Sequence, residues 1–321
     1  MAIAALLVDA GLVVLVVLGA VCGLAGLSGA GEGTGSQALR RARQNIIGRT
    51  AAALLVATAV FGAALLVQMA FPAWEGVPVF VGPAAGAGSA LLAFATLPAV
   101  PIEGDVSRRT ADLKRRTVRE LLPPGLWILT VITAIGTVAA VLAGGLSSKA
   151  AVGDGRFLCT SLFSAACPPG GPYLYPGWHF AGPTLLSLAI LAAGAAAAFR
   201  RVILLPDAAW RELAGADRML RANTTRVLVW IIMAPLLLTL GMFLGTAGVP
   251  LFNAPVLATG LSEASAAGAS SAGLILMLLG AGTLLAGMAA ALAAVVLGTR
   301  VARLEVRRSD LQAAQEKATQ A

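Results

Sequence analysis

Long apolar runs alternating with short arginine-bearing segments dominate this chain from its first residues to beyond position 295. Seven runs are long enough to cross about 30 Å of hydrocarbon as helices. They cover residues 3–27, 51–71, 80–100, 126–146, 180–199, 227–244 and 273–297. The third begins among Gly82, Pro83, Gly86 and Gly88, residues a spanning helix tolerates where its neighbours satisfy the freed backbone groups. Pro235 removes one backbone hydrogen bond from the sixth run and is expected to kink it. Residues 1–298 therefore read as an all-α polytopic membrane helix bundle of seven transmembrane helices. Residues 299–321 read as a cytoplasmic tail, helical at first and fraying beyond about Gln312.

The distribution of positive charge tests this division independently of hydropathy, because lysine and arginine are retained on the cytoplasmic side during insertion. Of the 23 lysines and arginines, 21 fall on alternate segments: residues 28–50, 101–125, 200–226 and the tail. Only Lys149 and Arg156 fall on the other side. An amino terminus outside and a carboxyl terminus inside follows, and a wrong helix count would break the alternation. The first run has no basic residue before it and exceeds the apolar core of a signal peptide, about 7 to 15 residues, so it reads as a retained helix containing Cys22.

Composition narrows the chemistry further. Apolar residues make up 58% of the 321 and charged residues 12%, against about a quarter charged in soluble domains. One histidine and three cysteines are too few for a zinc cluster or haem attachment, so no metal and no cofactor is expected. The formal net charge of +8 sits beside the bilayer, which points to anionic lipid headgroups as partners and away from nucleic acid. Catalysis finds little support, because the chain shows neither paired intramembrane carboxylates nor a nucleophile motif.

The polar segments supply the remaining candidates. Val106, Thr110, Leu113, Thr117 and Leu121 recur at helical spacing before Pro123 and Pro124, and residues 206–224 repeat that plan with Trp210, Leu213, Ala214 and Leu220. Both read as amphipathic helices lying on the inner surface. Arg115, Arg116, Trp210, Arg211 and Arg218 could alternatively dock a cytoplasmic ATPase or envelope-complex subunit. On the outer side, residues 147–179 hold Cys159 and Cys167, a plausible disulfide. Asp154, Arg156, Tyr173, Tyr175, Trp178 and His179 accompany them, either as an interfacial aromatic belt or as a ligand-contacting lid. Within the membrane planes Asp9, Gln68, Thr130, Thr133 and Thr137 offer either helix packing or a polar site. Gly273, Gly280 and Gly287 recur every seven residues, a seam for close helix approach within the chain or in a homo-oligomer.

A resemblance emerges from the run Arg108-Arg109-Thr110-Ala111-Asp112-Leu113 with Arg115-Arg116 and a proline before the fourth span. Asp154-Gly155-Arg156, a cysteine, a Pro-Gly-rich turn with tyrosine before Pro183, and the segment from Asp207 to Arg221 continue it. Over residues 100–225 the chain resembles uncharacterised multi-pass membrane proteins of actinobacteria. The resemblance implies a plasma membrane and brings no activity with it. The first functional expectation is a membrane-embedded component of a transport or cell-envelope complex with an uncharged or apolar cargo. A receptor-like sensor with a disulfide-closed outer lid, and an intramembrane enzyme acting on lipid, are the alternatives.

Overall fold

The computed structural model describes residues 37–71, 74, 76–98, 122–150, 158–160, 176–204, 214–253 and 263–320. Six helices account for nearly all of them: α1 (Gln37–Ala70), α2 (Val77–Thr96), α3 (Pro124–Leu146), α4 (Trp178–Leu204), α5 (Ala214–Phe252) and α6 (Glu263–Gln320). Each contains a segment long and apolar enough to cross a membrane. These six correspond to the second through seventh expected spans. The first, residues 3–27 with Asp9 and Cys22, lies outside the described residues.

Several helices exceed the apolar runs that announced them. The sixth expected span, 227–244, is the middle of α5, which starts at Ala214 and passes through Pro235 and Pro250. Once a helix is nucleated, each further residue adds a backbone hydrogen bond whatever its side chain, so polar residues extend it beyond the hydrocarbon. This corrects the separate surface helix expected over 206–224: its part from Ala214 onward is continuous with α5, and residues 205–213 lie outside the described residues. The expected helix at 105–121 lies outside them too. The tail is helical to Gln320, past the point where fraying was expected. One departure from an all-helical chain appears between α3 and α4, where β1 (Ser148–Ala150) pairs antiparallel with β2 (Leu158–Thr160), placing Lys149 opposite Cys159.

Helices α2 and α5 are the most enclosed, with 61% and 67% of their spanning windows buried, while α1, α3 and α6 show mostly outward apolar faces. Ile132 and Ile135 on α3 and Leu278 and Leu285 on α6 are among the exposed residues. Lipid tails cover such faces without cost, so contact between membrane helices depends on packing geometry. Glycines provide it here. A Cβ on Gly88 of α2 would lie 2.8 Å from the Leu191 nitrogen of α4, and one on Gly194 would lie 2.5 Å from the Gly88 carbonyl oxygen. The most extensive contact joins α5 and α6. There a Cβ on Gly280 would meet the Gly245 nitrogen at 2.6 Å, and one on Gly287 would meet Leu238 Cγ at 2.9 Å. The seven-residue glycine repeat is thus occupied within the chain. An aromatic cluster ties the interior together: the Phe80 ring lies 5.0 Å from Phe180 and 5.2 Å, edge-on, from Phe243, joining α2, α4 and α5.

Candidate functional site

The basic ends of the helices converge. Ala53 at the middle of α1, Phe94 near the end of α2, and Ala198 and Val202 near the end of α4 belong to one core cluster. Leu122, just before α3, is buried with Val229 and Met233 of the first half of α5, against Phe199 of α4. Arg49, Arg200, Arg201, Arg218, Arg221 and Arg226 therefore cluster toward one end of the bundle.

Two of these arginines are buried for a definable reason. The last four carbonyls of a helix have no partner within it, and the helix dipole makes that end favourable for a cation. Arg49 is 4% exposed; it donates a hydrogen bond from Nη2 to the Phe94 carbonyl near the end of α2. Its guanidinium carbon also lies 4.3 Å from the centroid of the Phe94 ring, a cation–π geometry. Asn45, one turn earlier, donates to the Pro98 carbonyl at 3.1 Å. Arg221 of α5, 7% exposed, places Nη1 3.5 Å from the Val202 carbonyl, near the end of α4. Adjacent helices thus cap one another through arginine. The compensation of Arg49 is incomplete. Among the described residues its Nε has no hydrogen-bond partner.

The residues that sequence pattern singled out fall elsewhere. Thr130, Thr133 and Thr137 do share a buried face of α3, and their hydroxyls donate to the carbonyls of Leu126, Leu129 and Thr133 at 2.8 to 2.9 Å. Thr137 also reaches the Leu236 carbonyl of α5 at 3.1 Å, a bond between helices. Gln68 does not join them. Its Oε1 accepts from the Gly76 N–H at 2.9 Å, anchoring the turn between α1 and α2, where Gly76 has φ +94°. Trp178 lies against the end of α3, since a Cβ on Gly145 would come within 3.0 Å of its ring, and exposed His179 stands edge-on to Phe180 at 5.2 Å. Cys159 sits in β2. Its expected partner Cys167, together with Asp154, Arg156, Tyr173 and Tyr175, lies outside the described residues, so the disulfide and the lid have no counterpart among those described. Arg115, Arg116, Trp210 and Arg211 are likewise outside, while Arg218 is exposed on α5.

The buried arginine caps were not singled out by sequence pattern. Arg49 stands at the border of an apolar run, where it counts simply as a loop charge; only its isolation from Arg40, Arg41 and Arg43 hinted at another role. No family model, characterised protein or solved structure matches the chain.

Proposed function

We propose that this multi-pass membrane-type bundle is a component of a plasma-membrane transport or cell-envelope complex, with its basic end in the cytoplasm and an uncharged or apolar cargo. The observation that carries the reading is how the interior uses its polar groups. The buried hydroxyls of Thr130, Thr133, Thr184 and Thr225 all donate to the carbonyl four residues back. Such hydroxyls are spent on their own helices, and the faces left between helices are methyl, aromatic and glycine surfaces suited to an apolar molecule or to a scaffold. The concentration of arginine at one end supports a cytoplasmic setting for that end by the retention of positive charge. An actinobacterial plasma membrane is the setting we assign it.

Two measurements test this. With the native cysteines replaced by serine, Lys149→Cys should react with a membrane-impermeant maleimide in intact cells, and Arg218→Cys should react only after permeabilisation. The reverse pattern would invert the orientation. Purification from native membranes in mild detergent should bring down a cytoplasmic ATPase or envelope subunit in fixed stoichiometry, and joint alanine substitution of Arg115, Arg116, Arg211 and Arg218 should release it. A chain that purifies alone, or a complex indifferent to those substitutions, would overturn the assignment to a complex.

A further inference from the structure

The seam between α5 and α6 has a fixed register. Where a Cβ would crowd it, Gly273 meets Phe252, Gly280 meets Gly245 and Gly287 meets Leu238. Seven residues forward along α6 therefore match seven residues back along α5. The register survives Pro235: Ala290 of α6 shares a buried cluster with Ala234 of α5, and Ala291 packs against it. One step further, Ala294 and Val227 are still buried. Helices matched in heptads supercoil about one another, which keeps the seam on their facing sides instead of letting it drift by about 20° per repeat. Both helices run on past their apolar segments at this same end, α6 to Gln320 and α5 back to Ala214. Carried forward, the same step puts position 301, a valine, opposite Thr224, and position 308, an arginine, opposite Asp217. Arg218 and Arg307 fall beside that row, and Arg218 is exposed.

We propose that residues 214–226 of α5 and 298–311 of α6 form an antiparallel two-helix stalk, closed by an ion pair between Asp217 and Arg308, that carries the seam beyond the apolar segments. The partner of the α6 tail is thus α5 of the same chain. A second copy would have to take over at Ala294 a face that α5 already covers through the three preceding repeats. Opposite charges placed in register are what paired helices use to select partner and orientation. The stalk makes α5 and α6 one body at the basic end of the bundle: a molecule that held the end of α6 would hold α5 with it.

The test uses the full chain in membranes, with its native cysteines replaced by serine and new cysteines introduced in pairs. A short bismaleimide, o-phenylenedimaleimide, bridges only facing positions. Thr224→Cys with Val301→Cys should cross-link within one chain, seen as a change in the mobility of the monomer. Thr224→Cys with Gln312→Cys, about 16 Å further along α6, should not. Asp217→Arg should lower the yield of the first pair about threefold, the scale of one solvent-exposed ion pair, and adding Arg308→Asp should restore it. Cross-linked dimers from Val301→Cys alone would make a second copy the partner of the tail and overturn the stalk. So would a first pair in which both cysteines take up a monofunctional maleimide yet stay unlinked. Failure of Arg308→Asp to restore the yield would overturn the ion pair that closes it.

Discussion

Helices α3 and α5 are both strongly apolar, yet 67% of the α5 spanning window is buried and only 22% of that of α3. Helix α5 carries Gly241, Gly245 and Gly248, and the first and last sit against the backbone of α6. Helix α3 has Gly136 in its middle with nothing within 4 Å of where a Cβ would stand, and it reaches α5 through the Thr137 hydroxyl and, near its end, through Gly144, where a Cβ would lie 3.4 Å from the Phe243 ring. In lipid, hydropathy decides that a helix enters the membrane; small residues and hydrogen bonds decide what it touches there.

The sharpest way to break that contrast is Gly280→Ala. The new methyl would meet the backbone of α5 at 2.6 and 2.8 Å, and overpacking of this kind costs about 1 to 3 kcal/mol. Its melting temperature in detergent should fall by several degrees, while Gly282→Ala, on the same helix with open space around it, should melt like the parent. Equal melting would mean that the seam is not what joins α5 to α6. Next in size is the turn between α1 and α2. Gly76→Ala forces a side chain into φ +94° at about 1 to 2 kcal/mol, and Gln68→Met, which removes the acceptor for its N–H, should cost about 1 kcal/mol.

Smaller effects probe the hydroxyls of α3 and α5. Thr137→Val removes an interhelical bond, worth about 0.6 kcal/mol on average between membrane helices. Thr239 is buried and its hydroxyl has no partner, so Thr239→Val should move stability the opposite way. Matching signs in a chemical denaturation series would argue against hydrogen bonding as the link between α3 and α5. Smallest of all, Gly136→Ala should raise stability by about 0.4 kcal/mol through the unfolded chain; a marked loss would reveal a close neighbour on α3.

Much of this architecture was legible in the sequence, for physical reasons that also explain what was not. Apolar runs located α1 to α6 because hydrocarbon length is a strict requirement. They misplaced the start of α5 by 13 residues, Ala214 against Val227, because backbone hydrogen bonding does not stop where hydropathy falls. The repeat of Gly273, Gly280 and Gly287 was visible in the sequence, but its partners were not: periodicity reports a face and leaves open what covers it. Pairing of Ser148-Lys149-Ala150 with Leu158-Cys159-Thr160 left no signal, since three-residue strands are too short for alternation to show. The role of Arg49 was hidden most deeply. It depends on Phe94, 45 positions away, and no local pattern encodes that meeting.

Helix α6 has a mechanical meaning beyond its place in the bundle. It is one unbroken helix of 58 residues, so at 1.5 Å per residue it extends about 87 Å, nearly three times the hydrocarbon thickness. Its apolar portion is clasped to α5 by glycines, and residues 298–320 continue the same helix. The seam with α5 and the polar residues beyond position 297 thus belong to one helix, so whatever binds those residues is joined to α5 by continuous backbone hydrogen bonding.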